Sequence, residues 1–211
     1  METELFEQLA RVGKALANGK RLELLDLFAQ CPRAVADLAQ VADLGLTTAS
    51  AHLQILKQAG LVATSREGTT IYYRLADGPH GDVTALYAHL RAVATERMPD
   101  VQAARDRYLG PDDTEHITRD ELLRRAQAGQ VTVLDVRPAA EYTAGHVPAR
   151  SASPSTNSPN YPPTRKSSLT AEARTAYSPT TPCASSPTTN RPAQRLTDGI
   201  LEWRLNNLPV A

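Results

Sequence analysis

The chain is poor in cysteine and in large aromatic residues, and neither sign of charge is in excess. Its 211 residues include two cysteines, one tryptophan and two phenylalanines, and 23 Lys and Arg balance 23 Asp and Glu. Two cysteines are too few for a disulfide framework. A net charge of zero gives no bulk attraction to nucleic acid or to a membrane surface. Binding to either must therefore depend on the local placement of side chains.

Signals for membrane targeting are lacking as well. The sequence has no apolar run close to the length of about 20 residues that a membrane-spanning helix needs. The N-terminal stretch METELFEQLA is acidic and does not read as a signal peptide. We therefore expect a cytoplasmic protein that makes no contact with a membrane.

What the sequence does contain is helical periodicity over its first hundred residues. The pairs Asn18-Gly19 and Cys31-Pro32 mark breaks between helices, since a residue before proline is pushed out of the helical region. A short helix is predicted around Val35–Val41. A longer helix is predicted from Leu46 to about Ala59, with Gly60 at its C-cap.

The longer helix has two contrasting faces. We expect its apolar face to be buried, and this face comprises Leu46, Ala49, Leu53 and Leu56. The opposite face is short, polar and uncharged, so it could enter a major groove and meet base edges; it comprises Thr47, Thr48, Ala51 and Gln54. On the flanks, where phosphate contacts would position the helix, are Ser50, His52 and Lys57.

A β-hairpin is predicted to follow. The stretch LVATSREGTTIYYRL alternates on both sides of Arg66-Glu67-Gly68, and Arg66 near the tip could reach a minor groove or a phosphate. Helix, short helix, turn, helix and hairpin is the order of a winged helix-turn-helix, which makes duplex DNA the expected partner. The competing interpretation is a protein-interaction module of the same shape whose outer helix face is merely solvated.

The residues of this module also carry a family resemblance. The stretch LTTASAHLQILKQAGLVATSREGTTIYYRL resembles the ArsR/SmtB repressors, notably in the SxHLxxLxxAGLV run at residues 50–62. The resemblance covers about residues 5–95. It implies a homodimer whose first and last helices pair and whose two recognition helices bind a palindromic operator. The last helix would run from about Asp82 to Tyr108.

Metal sensing, which many relatives perform, is not expected. Cys31 has no second thiolate nearby in the sequence, whereas soft metals need several thiolate or imidazole ligands. Asp82, His89 and Glu96 recur seven residues apart, which does not match the spacing of the family's metal ligands. We therefore predict no metal site and no cofactor.

A second domain is predicted after residue 115. Thr118 is a plausible N-cap for a helix through Ala128, and Val131–Val136 reads as a short buried strand. The segment resembles the rhodanese domain through the residues Asp135, Arg137, Glu141, Tyr142, Gly145, His146 and Pro148. At the other end, LTDGILEWRLNNLPV resembles the last helix of the same family through Gly199, Trp203 and Pro209.

The middle of this predicted domain does not resemble a rhodanese. Residues 151–189 contain seven prolines, and Leu169 is their only residue among Val, Ile, Leu, Met and Phe, so we expect disorder there. One base lost near Pro148 and one gained near Arg191 would explain the change. In the displaced frame, residues 170–176 permit the sequence YCRGPYC, a rhodanese active-site loop.

In the reading frame of this sequence, no cysteine stands at the position of the rhodanese nucleophile. Ala171 stands where the nucleophile would be, and Cys183 lacks the Arg- and Gly-containing loop that lowers the pKa of a rhodanese cysteine. We predict no catalytic residue and no enzyme activity for the chain as printed. The alternative is a rhodanese-type sulfurtransferase or a sulfur-responsive regulator.

These patterns predict an α+β protein that combines a winged helix-turn-helix with an incomplete α/β rhodanese-like domain. The DNA-binding and dimerisation domain is expected at residues 1–100 and the end of the long helix with a linker at 101–115. The rhodanese-like parts are expected at 116–148 and 195–211, on either side of the low-complexity stretch 149–194.

Overall fold

A computed structural model describes residues 2–78, 82–109, 115–131, 133, 135, 137–148, 194–196 and 199–211. The chain forms two compact units, the first reaching to Tyr87 and the second starting at Ala88. The predictions made for residues 149–193, including the frame change, Ala171 and Cys183, lie outside the described residues. None of the described helices is both long enough and apolar enough to cross a bilayer.

The first unit contains the predicted succession of helices and a hairpin. Its sheet is antiparallel with strand order β1-β3-β2. In chain order its elements are α1 (Glu2–Leu16), α2 (Gly19–Gln30), β1 (Arg33–Ala34), α3 (Val35–Val41), α4 (Leu46–Gln58), β2 (Val62–Glu67), β3 (Thr70–Leu75) and the start of α5 (Asp82–Arg97).

Local sequence signals explain the breaks between these elements. The Asn18 side-chain oxygen accepts a hydrogen bond from the Arg21 backbone N–H at 3.1 Å and so caps α2. Cys31, before Pro32, is extended and ends α2. Gly60 has φ +72°, the left-handed conformation that commonly follows a helix end. All three predicted boundaries are confirmed.

The predicted single helix over residues 82–108 is wrong, because the structure has two helices there. α5 ends at Arg97, and a separate helix, α6, runs over Pro99–Leu109. Pro99 has no N–H to donate to the preceding turn and disfavours helical geometry at Met98. The same residue suits the first position of the new helix.

A side chain not singled out by the sequence patterns anchors the start of α5. The Oδ1 atom of Asp77 accepts hydrogen bonds from the backbone N–H groups of Val83 and Thr84 at 2.8 and 2.9 Å. Its Oδ2 atom accepts from the Thr84 hydroxyl. Amides in the first turn of a helix have no partner within the helix, so Asp77 satisfies two of them.

The core of the first unit is built mainly from leucines. The side chains with at most 1% exposure there are Ala15, Leu24, Leu25, Leu27, Leu38, Ala42, Ala49, Leu53 and Leu56, together with the polar Gln30. One buried hydrogen bond links distant parts of this unit, since the Tyr87 hydroxyl on α5 donates to Asp26 Oδ1 on α2 at 3.0 Å. It joins residues 61 positions apart.

The second unit brings together segments from both sides of residues 149–193. It contains the C-terminal half of α5, then α6, β4 (Glu115–Ile117), α7 (Arg119–Gln127), α8 (Ala139–Thr143), β5 (Gln194–Leu196) and α9 (Ile200–Leu205). β4 and β5 pair in parallel. One hydrophobic cluster joins them and comprises Ile117, Leu122, Val133, Val147, Leu196, Ile200 and Trp203.

Secondary structure in this unit follows the prediction in part. Thr118 caps α7, its hydroxyl accepting from the Glu121 N–H at 3.4 Å, as expected. The C-terminal segment, predicted as a helix alone, first forms β5, because Gln194–Leu196 pairs with β4. Of the predicted strand Val131–Val136, the described residues Val131, Val133 and Asp135 lie in no strand. The buried positions of Val133 and Asp135 come from core packing and an ion pair.

Candidate nucleic-acid interface

The rotation of α4 about its own axis is fixed by three side chains. Ala49, Leu53 and Leu56 have no exposed surface, and the helix packs against α2 and α3. The prediction that Leu46 is buried with them is wrong, since this side chain is 55% exposed. At 100° per residue Leu46 lies at the margin of the buried arc, and it is the first residue of the helix.

The opposite face of α4 is turned to solvent. All four side chains predicted for base contact are exposed, namely Thr47, Thr48, Ala51 and Gln54. The helix contains no acidic residue, and Lys57 in its last turn carries its only full positive charge. A neutral surface of hydroxyl, methyl and amide groups matches the mixture of donors, acceptors and methyl groups in a major groove.

The flanking residues differ in their accessibility. Ser50 and His52 are half-buried, and the His52 Nδ1 atom is buried without a hydrogen-bond partner among the described residues. Lys57 is exposed, and its Nζ atom donates to Thr64 Oγ1 on β2 at 3.4 Å. This contact ties the end of α4 to the hairpin that follows it.

The hairpin turn lies at Gly68-Thr69, just beyond the predicted tip at Arg66-Glu67-Gly68. Glu67 pairs with Thr70 across the turn, and Gly68 has φ +60°. Arg66 is exposed near the end of β2, and its Nε atom donates to the Gly68 carbonyl at 3.0 Å. Its guanidinium therefore lies beside the turn of the wing.

Two further residues of this surface were missed from the sequence. Arg11 of α1 donates through Nη2 to the backbone carbonyl of Gln58 at the end of α4, at 3.2 Å. No local pattern could reveal that contact, because the residues lie 47 positions apart. Ile55 is 41% exposed on the outward side of α4. A helical projection could have found it, since it lies four residues after Ala51.

The residues that suggested a rhodanese resemblance in the sequence also cluster in the second unit. Arg137 Nη2 lies 2.6 Å from Asp135 Oδ2 and donates to the Gly145 carbonyl at 2.9 Å. Both members of this ion pair are almost fully buried, as is Glu141 on α8. His146 stacks on Tyr142 with ring centroids 3.8 Å apart. Asp135 and Arg137 bond with each other, and Arg137 also bonds a nearby backbone carbonyl, which is the arrangement of a structural ion pair.

One ion pair on the surface of the second unit contains a carboxyl group whose pKa is strongly lowered. Hydrogen bonds from Arg124 and then Arg125 lower the pKa of Glu121 to about 2. The Glu121 carboxylate therefore keeps its charge far into the acid range and lies in the first turn of α7, where negative charge is favourable.

Across the described ranges no cluster of three or more His, Cys, Asp or Glu side chains is placed to hold a metal ion.

The first unit has the fold of a winged helix-turn-helix, and comparison with known proteins gives its relatives. A family described as a helix-turn-helix domain matches residues 16–65. The HTH-type transcriptional regulator Rv0324 of Mycobacterium tuberculosis is 48% identical over 215 residues, which cover 98% of this chain and 91% of the relative. The arsenical resistance operon repressor of Bacillus subtilis is 35% identical over 77 residues, covering 36% of this chain and 73% of the relative.

A solved structure is also similar to the first half of the chain. It is the homodimeric winged helix-turn-helix DNA-binding domain of a possible ArsR-family regulator from Mycobacterium bovis, 52% identical, with a TM-score of 0.44 over 47% of this chain and 89% of that domain. From the two relatives above, the chain belongs to the ArsR/SmtB family of helix-turn-helix transcriptional regulators.

The orientation of α4 predicts opposite outcomes for two neighbouring substitutions. Leu53→Ala should lower the free energy of unfolding by about 2–5 kcal/mol, because it leaves a cavity in the core. Gln54→Ala should change it by less than about 0.5 kcal/mol, as expected for an exposed site. Urea unfolding followed by circular dichroism measures both. Equal losses from the two variants would contradict the orientation.

Proposed function

We propose that the protein is a repressor that binds an operator in duplex DNA as a homodimer. The observation that carries this proposal is the two-sided character of α4: one side is locked into the core and the other offers a neutral, unobstructed surface. A major groove accommodates one such helix. Base contacts are assigned to Thr47, Thr48, Ala51 and Gln54.

Phosphate contacts would hold the helix in register. We assign them to Ser50, His52 and Lys57 on the flanks of α4 and to Arg66 on the wing. Lys57 and Arg66 are exposed and lie on successive elements, α4 and β2, which the bond from Lys57 to Thr64 holds together. Because the chain has no net charge, attraction to the backbone must come from the local placement of cations such as these two.

The homodimer is supported by apolar side chains that two helices leave in solvent. On α1, Leu5, Phe6 and Leu9 are each about 60% exposed. On α5, Leu86, Leu90 and Val93 are exposed at the i, i+4, i+7 spacing of one helix face. Contiguous exposed apolar side chains mark interaction surfaces. We assign both faces to contact with a second copy of the chain.

Operator binding gives the first test of the proposal. Wild-type protein should bind a duplex from its own promoter region with an affinity that falls steeply as salt rises. Gln54→Ala should weaken binding about five- to 150-fold through loss of a base contact worth about 1–3 kcal/mol. The exposed Gln127→Ala on α7 is the matched control and should leave affinity unchanged. Binding that ignores both salt and Gln54 would refute the assignment.

Dimerisation gives a second, separate test. Leu90→Glu places a charge in the assigned apolar face of α5, and we expect it to weaken self-association at least tenfold, as measured by sedimentation equilibrium. Thr95→Glu adds the same charge at an exposed polar position of the same helix and should leave the dimer intact. A monomeric wild type, or a dimer that tolerates Leu90→Glu, would show that α5 does not form the interface.

We further propose that the second unit is the remnant of a rhodanese-like domain. The packing of both chain segments into one cluster supports this, as does the pairing of β4 with β5. The cap and anchor of the last helix also fit, since Gly199 precedes α9 and buried Trp203 donates through Nε1 to the Pro209 carbonyl at 2.8 Å. The relative Rv0324 matches this half of the chain too.

The frame change proposed for residues 149–194 can be checked directly. Sequencing of the locus should show a base lost near codon 148 and one gained near codon 191 relative to an intact open frame. The printed chain should show no thiosulfate-to-cyanide sulfur transfer, and Cys183→Ser should behave identically. Turnover that disappears in Cys183→Ser would instead establish the sulfurtransferase alternative.

A further inference from the structure

An aliphatic side chain on the outward side of α4 is left partly exposed to solvent. Ile55 is 41% exposed, in contrast to Leu53 and Leu56 on either side of it along the helix, which have no exposed surface. At 100° per residue, Ile55 projects between Ala51 and Thr48, both exposed. These three side chains form a methyl-bearing strip along one edge of the proposed DNA-binding face.

The chemical groups that the bases present in the major groove limit which bases this strip can contact favourably. Guanine, cytosine and adenine present hydrogen-bond donors and acceptors there, whereas thymine adds the only apolar group, its C5 methyl. An isoleucine placed against polar base edges would bury their donors and acceptors without partners, which costs free energy. Placed against a thymine methyl, it removes apolar surface from water on both sides.

We propose that Ala51 and Ile55 read thymine methyl groups and so make the operator half-site selective for A·T pairs. The neighbouring amide fits this assignment, because Gln54 on the same face can bond bidentately to the N6 and N7 atoms of adenine. The inference rests on the proposed operator binding and adds the specificity that this face confers.

The test removes single methyl groups from the DNA. Each thymine of a bound promoter duplex is replaced in turn by deoxyuridine, which lacks only the C5 methyl, and affinity is measured by fluorescence anisotropy. We expect a loss of about fourfold per half-site methyl at one or two positions, the effect of burying one methyl group. The same replacements outside the half-sites should have no effect.

Variants connect this loss to named side chains. Ile55→Ala should bind the thymine duplex more weakly and lose its sensitivity to deoxyuridine at the affected position. Leu46→Ala is the matched control, because Leu46 is also an exposed aliphatic residue of α4 but lies on the other side of the helix. This variant should keep the full sensitivity. Circular dichroism confirms that all variants are folded, as expected for exposed positions.

The possible outcomes separate this inference from the function on which it rests. If the wild type binds its duplex but deoxyuridine changes nothing, thymine reading is wrong and operator binding stands. If Ile55→Ala retains the sensitivity, the methyl group is read by another residue and the assignment is wrong. If no duplex is bound at all, the proposed function fails and this inference fails with it.

Discussion

Burial of Ala49, Leu53 and Leu56 is the constraint on which the functional surface depends. These three side chains fix α4 in one rotation, because turning the helix by even one residue would expose a leucine and bury a polar group. The direction of the face that we propose for DNA contact is thus set by core packing. Exposed residues of this face can be replaced without loss of stability. A rotation of the helix, in contrast, would lose stability.

Contacts at the ends of α4 add to that constraint. Arg11 bonds the last carbonyl of the helix from α1, and Lys57 bonds the hairpin through Thr64. The buried bond from Tyr87 to Asp26 holds the start of α5 against α2. The first helix, which carries an exposed apolar face, is therefore bonded directly to α4, and α5 is bonded to α2, against which α4 packs. A protein without net charge can thus present a few cations at defined positions without an overall excess of positive charge.

Local chemistry accounts for what could be predicted from the sequence. The breaks at Asn18-Gly19 and Cys31-Pro32 and the helix end at Gly60 were readable because each acts within one turn of the chain. The break at Pro99 follows from the same proline rule and was missed because apolar spacing continued across it. Leu46 was misplaced because helix periodicity does not show where the core ends.

Contacts between distant segments were not predictable in that way. The parallel pairing of β4 with β5 joins residues about 80 positions apart, and the bond from Arg11 to Gln58 spans 47. Neither contact produces a periodic pattern in the sequence. Val133 shows the converse, since its apolar character predicted a strand position and the structure buries it outside any strand.

The joined flanks of the second unit set how much the chain between them can vary. His146 and Ala211 exchange two backbone hydrogen bonds, and β4 pairs with β5, so the two sides of residues 149–193 are held together by contacts outside that stretch. Closing a connection of twice the length costs only about 0.6 kcal/mol more. A change in the length of this interval thus adds little entropic cost to the contacts that join its two ends.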